Sequence, residues 1–125
     1  PLAEAGCRVS LFVAADERQL QASAQAGAAV VELHTGAYCD FHAAGNHLAA
    51  EEELLRIARS VRFAAELGLE VHAGHGLSYE TVSPIAALPE VAELNIGHFL
   101  IGESVFLGLG PAIAEMRLLM QNARR

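Results

Sequence analysis

A histidine between two glycines, His75, is the residue whose type and position best suit acid–base chemistry. It follows an apolar segment, residues 69–73, that predicts a β-strand, and Gly74 and Gly76 on either side allow a ligand to approach the backbone closely. Imidazole gives and takes protons near neutral pH, so the pattern favours a general acid or base. A histidine that only forms hydrogen bonds within a loop is the alternative interpretation.

A carboxylate, Glu32, lies inside a second apolar segment, residues 30–34, two positions before His34. Residues i and i+2 of a strand share a face, so Glu32 and His34 are expected to point the same way. A carboxylate in such a place needs a partner or a substrate to offset its desolvation. Glu32 is therefore a candidate catalytic residue, and a structural ion pair with an arginine is the alternative.

A glycine loop at residues 95–98, which contains Gly97 and His98, separates an apolar segment from a possible short helix over residues 99–107. A loop that feeds a helix N-terminus offers free N–H groups and the positive end of the helix dipole to an anion. The spacing therefore indicates a phosphate site, with an ordinary tight turn as the alternative.

The segments that carry these residues alternate between strand and helix patterns. Short apolar strands are predicted at residues 9–13, 30–34, 69–73 and 92–96, and a glycine that would end a helix precedes each of the first three. Helices are predicted over residues 17–26, with Asp16 as the N-cap, over residues 48–67, and from Pro111 to the C-terminus, and a shorter one over residues 79–88. Strands that alternate with helices indicate a parallel sheet in an α/β fold.

Four βα units allow two architectures, an open doubly wound sheet or half of an eight-stranded barrel. A complete (β/α)8 TIM barrel needs ~250 residues, about twice the length of this chain. Residues 1–6 read as the end of a helix whose beginning is absent. We therefore predict a single unit, residues 1–125, that forms about the last four βα units of a TIM barrel, with strands adjacent in chain order and helices on one face. The inner face is predicted to be apolar and open, with Val9, Leu11, Val13 and Val30 incompletely buried.

Four histidines lie near predicted strand ends and also admit a metal site: His34, His72, His75 and His98. Two neighbouring ones, His72 and His75, are not both expected to face inward, and no His-x-His pair ends a strand, so a metal site is the less favoured interpretation. Two further histidines, His42 and His47, are expected on the surface, in a loop containing Gly and Asn.

Composition excludes several classes of function. A formal net charge of −7 without a basic patch argues against a nucleic-acid partner. No apolar run approaches the roughly 20 residues that a membrane-spanning helix needs, and the N-terminus does not read as a signal peptide. All eight basic residues are arginine, so a Schiff base through a lysine of this chain is impossible. Cys7 and Cys39 are expected to be free thiols in a reducing cytoplasm, and a disulfide between them is left open.

Taken together, these segments resemble the pyridoxine 5′-phosphate synthase family, in order and across essentially the whole chain. The two specific matches are AGHGL at residues 73–77 and ELNIGH at residues 93–98. Supporting matches are VSLF at residues 9–12, ELHTG at residues 32–36 and RFAAELGL at residues 62–69.

The resemblance implies a reaction and a set of roles. The family condenses 3-amino-2-oxopropyl phosphate with 1-deoxy-D-xylulose 5-phosphate to form pyridoxine 5′-phosphate, with loss of inorganic phosphate and water, and it uses neither metal nor organic cofactor. By similarity, His75 is an acid–base catalyst and Glu32 stabilises charge in a transition state. The amino-ketone phosphate is held by Gly76, Gly97 and His98. The resemblance also implies a cytoplasmic homo-oligomer, an octamer in the family.

The chain departs from the family in three respects. It has no counterpart of the first half, which supplies another catalytic histidine, a catalytic glutamate and substrate-binding arginines. Ala14 stands where relatives often carry Asp, and the loop after Gly36 reads as altered or longer over residues 41–47. Two alternatives to the synthase therefore stay open: a phosphosugar isomerase or epimerase on a similar barrel, and a half-barrel fragment without activity.

Overall fold

The computed structural model describes all residues from Pro1 to Arg125. Its four strands are β1 (Ser10–Val13), β2 (Val30–His34), β3 (Glu70–Gly74) and β4 (Val91–Asn95). Its six helices are α1 (Glu17–Gln25), α2 (Gly36–Ala43), α3 (His47–Glu66), α4 (Val82–Ala86), α5 (His98–Leu107) and α6 (Leu109–Ala123). Every predicted strand is present within one residue of its predicted bounds.

The four strands form one parallel sheet in the order β1-β2-β3-β4. This order follows from short βα connections, which place consecutive strands side by side. In the register, Phe12 lies beside Glu32, Glu32 beside His72 and His72 beside Glu93. Neighbours in a parallel register project from the same face, so these four residues form one row across the sheet. The predicted α/β class and strand order are confirmed.

The apolar core lies on one face of the sheet. Strand residues such as Leu33 and Val71 pack there with helix residues such as Leu20, Ile57 and Val61 in one buried cluster. Strand residues alternate between faces, and in β2 the core residues Val31 and Leu33 alternate with Glu32 and His34. The helices therefore cover one face and leave the other as an open surface.

The open face is polar, and the prediction of an apolar inner face was wrong. Val9, Leu11 and Val13 are half-buried, as predicted, but Leu11 and Val13 pack against the helix-side core; Val30 is buried. The open face instead presents Phe12, which is 55% exposed, and the side chains of Glu32 and other polar residues. The strand register explains the difference, because a period of two sends the branched apolar residues of β1 toward the helices.

Two local predictions also need correction. Residues 36–43 form helix α2 rather than a loop, since Tyr38 and Cys39 bury one side of it. His42 is consequently a half-buried helix residue, whereas His47 is exposed at the first position of α3. The third predicted helix, residues 79–88, shortens to α4 because the Thr81 hydroxyl accepts the Ser78 N–H in a turn before it.

The structure contains no helix that is both long and apolar enough to cross a membrane.

Candidate functional site

His75 stands on a strained turn directly after β3. Its φ angle is +77°, a left-handed conformation that non-glycine residues rarely adopt, and Gly76 follows with φ of +85°. Such a conformation costs on the order of 1–3 kcal/mol and persists only where the surroundings hold it. The turn lifts the His75 imidazole out of the sheet into solvent at the carboxyl end of the strands.

Thr35, at the end of β2, holds this turn in place. It is fully buried, and its hydroxyl lies 2.7 Å from both the Gly74 and the His75 carbonyl oxygens. Its backbone N–H also donates to the Gly74 carbonyl at 2.8 Å. One buried side chain therefore ties the ends of β2 and β3 together beneath the imidazole.

Glu32 faces the same end of the sheet from β2. Its carboxylate accepts a hydrogen bond from the Asn95 side-chain amide at 2.9 Å and forms no ion pair with an arginine, contrary to the structural alternative considered from sequence. Gly74 makes room for this arrangement. A Cβ on Gly74 would stand 2.5 Å from Glu32 Oε1 and 2.7 Å from the Asn95 carbonyl oxygen.

The glycine loop at residues 95–98 precedes a helix, because Gly97 is the N-cap of α5. Gly97, His98 and the following Phe99 use their backbone N–H groups in no hydrogen bond within the chain, and neither does Gly76 on the adjacent turn. A Cβ on Gly97 would meet nothing within 4 Å. Free N–H groups at a helix N-terminus, beside open space, form a surface suited to an anion.

One cavity of about 320 Å³ is lined by all five residues selected from sequence, which are Glu32, His75, Gly76, Gly97 and His98. Five further residues line it that sequence reasoning did not select: Phe12, Leu77, Asn95, Ile96 and Phe99. Asn95 was within reach of sequence reasoning, since it belongs to the ELNIGH motif, but nothing in the motif indicates its contact with Glu32. The cavity opens at the carboxyl end of the strands, where parallel α/β proteins bind ligands.

A second imidazole lies against His75. The His34 ring stacks on the His75 ring with centroids 4.5 Å apart and planes 26° from parallel. Phe12 closes the group, with its ring centroid 5.2 Å from that of His34 and 6.3 Å from that of His75. Sequence reasoning placed His34 on the same face as Glu32 but did not predict this stack.

His72 does not join the cavity. It is buried on the open face between two carboxylates, with Nε2 2.8 Å from Glu70 and Nδ1 3.4 Å from Glu93. Arg8 lies 2.5 Å from Glu70 and, by hydrogen bond and charge, holds the pKa of that carboxyl below its ordinary value. His72 therefore belongs to an ion-pair group lower on the open face. No three side chains of the metal-binding types converge as a metal site would require.

Cys39 lies beneath the His75 turn but does not suit chemistry. It is buried, with its sulfur 3.9 Å from the His75 carbonyl oxygen, and burial raises the pKa of the thiol. A thiol that resists ionisation is a poor nucleophile. The second cysteine, Cys7, is exposed and is not bonded to Cys39.

The fold and cavity define a parallel α/β protein that brings an exposed histidine, a carboxylate and a glycine loop with free backbone N–H groups to the carboxyl edge of its sheet. The sequence profile of the pyridoxal phosphate biosynthesis protein PdxJ family matches residues 1–122. The chain therefore belongs to that family.

Three relatives give the extent of the similarity, and each bears the name pyridoxine 5′-phosphate synthase. The protein of Roseobacter denitrificans is 66% identical over 99% of this chain and 50% of its own length. The protein of Ruegeria pomeroyi is 64% identical over 99% of this chain and 50% of its own length. The protein of Caulobacter vibrioides is 60% identical over 95% of this chain and 47% of its own length. The chain spans about half the length of the curated relatives it matches.

Proposed function

We propose that this chain supplies the carboxyl-terminal half of a pyridoxine 5′-phosphate synthase, which joins 3-amino-2-oxopropyl phosphate and 1-deoxy-D-xylulose 5-phosphate. The observation that carries the proposal is the single cavity lined by Glu32, His75, Gly76, Gly97 and His98. Relatives at 60–66% identity that bear this name support the choice of reaction. The proposal uses no metal and no organic cofactor.

His75 is the proton carrier in this proposal. Ring formation requires several proton transfers and the loss of phosphate and water, so one group must both give and take a proton. The exposed imidazole on its strained turn can reach a substrate in the cavity from the side of β3. Glu32 faces the cavity from β2, where its negative charge would stabilise positive charge that develops on the condensing substrates.

The amino-ketone phosphate is held by the α5 end of the cavity. The free N–H groups of Gly97, His98 and Gly76 donate hydrogen bonds to the phosphate at the positive end of the α5 dipole. The absence of a side chain at Gly97 leaves space for the phosphate. The cavity contains no arginine or lysine, so the cationic contacts to the substrates would come from the first half of the protein.

Replacing Gly97 by valine tests the phosphate site. We expect the KM for the amino-ketone phosphate to rise at least tenfold, since the new side chain occupies the space beside the free N–H groups. Stability should change by about 1 kcal/mol or less, because a Cβ at this position meets nothing and an N-cap substitution costs about that much. Steady-state kinetics and thermal melting of the full-length protein measure both quantities.

Gly102→Val is the matched control for that experiment. Gly102 lies in the same helix and also has nothing within 4 Å of a Cβ, but it does not line the cavity. The control should leave KM within twofold of normal. Parallel losses of stability and binding in Gly97→Val would indicate an ordinary turn rather than a phosphate site.

The half-barrel architecture is the second part of the proposal. Strands β1 and β4 each pair on one side only, and unpaired strand edges of this kind need a partner. The last two helices also expose large apolar side chains, with Val105 79% and Phe106 84% exposed. Four further βα units would pair with both edges and close the open face, and an octamer of complete barrels would cover more of the apolar surface.

Co-expression with the first half of the Roseobacter denitrificans synthase tests this architecture. We expect the two halves to purify as one complex with synthase activity, whereas this chain alone should be inactive and should self-associate. Sedimentation and mass measurement give the composition of the complex. A stable, monodisperse monomer of 13.2 kDa would contradict the half-barrel, and a well-formed complex without activity would favour the inactive-fragment alternative.

A further inference from the structure

One hydrogen bond selects the tautomer of the His34 ring. Its Nδ1 accepts the backbone N–H of Gly36 at 3.1 Å. A backbone amide can only donate, so Nδ1 must carry a lone pair and the ring proton must lie on Nε2. Protonating His34 would place two donors against each other at this contact. The tautomer protonated on Nε2 is therefore the one that this contact fits.

The absence of a side chain at Gly36 leaves room for the two imidazole rings. A Cβ at Gly36 would collide with His34 Cε1 and would stand 3.2 Å from His75 Cδ2. Gly36 has no left-handed φ that would require glycine, so the space it leaves is what the two rings use. The backbone thus approaches both imidazoles at the point where they stack.

The groups that surround His34 include one ion pair and two aromatic rings. On the α3 side it faces Glu53, whose carboxylate is paired with Arg56; that pairing holds the pKa of Glu53 below its ordinary value and offsets its charge. On the cavity side it faces the His75 ring, and Phe12 on β1 carries no charge. The only unpaired titratable ring in contact with His34 is therefore His75.

We propose that His34 is a positioning residue for His75, which as a neutral ring presents a flat aromatic face that orients the His75 imidazole and stabilises it when it takes up a proton. A cation over an aromatic face is attracted to it, whereas two imidazolium rings at 4.5 Å would repel. The hydrogen bond from Gly36 fits only a neutral His34 ring, so in this proposal the proton of the stacked pair lies on His75. The expected effect on turnover rests on the proposed acid–base role of His75. The effect on the titration of His75 does not, because it is measured without catalysis.

Two substitutions separate the two properties of His34. His34→Asn retains an acceptor for the Gly36 N–H and removes the aromatic face. His34→Phe retains the face and removes the acceptor. His47→Asn, at an exposed histidine outside the cavity, is the matched control. The titration of His75 is followed by NMR of its imidazole in the full-length protein, and thermal melting checks that each variant is folded.

We expect the midpoint of the His75 titration to fall by about half a pH unit in His34→Asn, the shift that corresponds to a cation–aromatic contact at an exposed site. It should stay within about 0.2 units in His34→Phe and in the control. Gly36→Ala, whose Cβ collides with the His34 ring and also contacts His75 Cδ2, should lower the midpoint as well. The pH profile of turnover should move in the same direction.

An unchanged midpoint in folded His34→Asn and Gly36→Ala would overturn the proposal, as would equal shifts in His34→Asn and His34→Phe. The titration does not depend on catalysis. A shifted midpoint in a protein without synthase activity would therefore retain the positioning role and refute the proposed function, whereas an active protein with an unshifted midpoint would do the reverse.

Discussion

Replacing His75 by asparagine is expected to lower the turnover number about 10²–10⁴-fold in the full-length protein, the usual range for lost acid–base catalysis. Asparagine keeps a similar size and hydrogen-bonding capacity but cannot carry a proton. It also tolerates the left-handed backbone at this position better than most residues, so the variant should fold normally despite φ of +77°. Binding of the amino-ketone phosphate should stay within a few-fold of normal, because the proposed site holds it through backbone N–H groups rather than through His75.

Steady-state kinetics with thermal melting distinguish the outcomes for His75. The matched control is His42→Asn, a half-buried histidine on α2 that does not line the cavity, and it should retain full turnover. A loss confined to KM would mean that His75 only binds substrate. Normal values of both parameters would return His75 to a loop histidine without a chemical role.

Replacing Glu32 by glutamine is expected to lower turnover about 10²–10³-fold, the size of effect seen when one charge-stabilising group is removed from an active site. The substitution is conservative in structure. The glutamine oxygen can still accept the Asn95 amide hydrogen, which the carboxylate now accepts at 2.9 Å, and the space above Gly74 is unchanged. Only the negative charge is lost, so a fall in turnover without a change in melting temperature measures the contribution of that charge.

The control for the Glu32 experiment is Glu93→Gln. Glu93 lies in the same row of the sheet as Glu32, with His72 between them, but outside the cavity. It should change stability slightly, through its contact with His72, and leave turnover within a few-fold of normal. Equal losses of turnover in the two variants would indicate a general effect of charge on the open face, and an unaffected Glu32→Gln would reduce Glu32 to a structural partner of Asn95.

Much of the fold followed from local patterns. Apolar runs predicted all four strands within one residue, and helix signals such as Asp16 predicted α1, whose N-cap side chain accepts the Arg18 N–H at 2.9 Å. These signals are local, because a cap or a terminating glycine acts within a turn of chain. Helix α2 lacked them: Thr35 makes no side-chain cap hydrogen bond there, and what stabilises α2 is the burial of Tyr38 and Cys39.

The five residues selected from sequence meet in one cavity, but the contacts that hold them there could not be predicted from the sequence. His75, Glu32 and Gly97 stand after or within strands, and the carboxyl ends of parallel strands always meet at one edge. Their types and positions along the chain were therefore enough to place them in one cavity. The five residues selected from sequence come from three different strands or the turns that follow them.

Contacts between strands were decided only by the tertiary structure. The Thr35 hydroxyl reaches the His75 carbonyl, 40 residues away, and Asn95 reaches Glu32, 63 residues away. Such contacts depend on the lateral register of the sheet, and a slip of one residue would send each side chain to the opposite face. The sequence by itself determined which residues can do chemistry and which edge of the sheet they occupy. The register determined that β1 sends Leu11 toward the helices, that Glu32 meets an amide rather than an arginine, and that His34 stacks on His75.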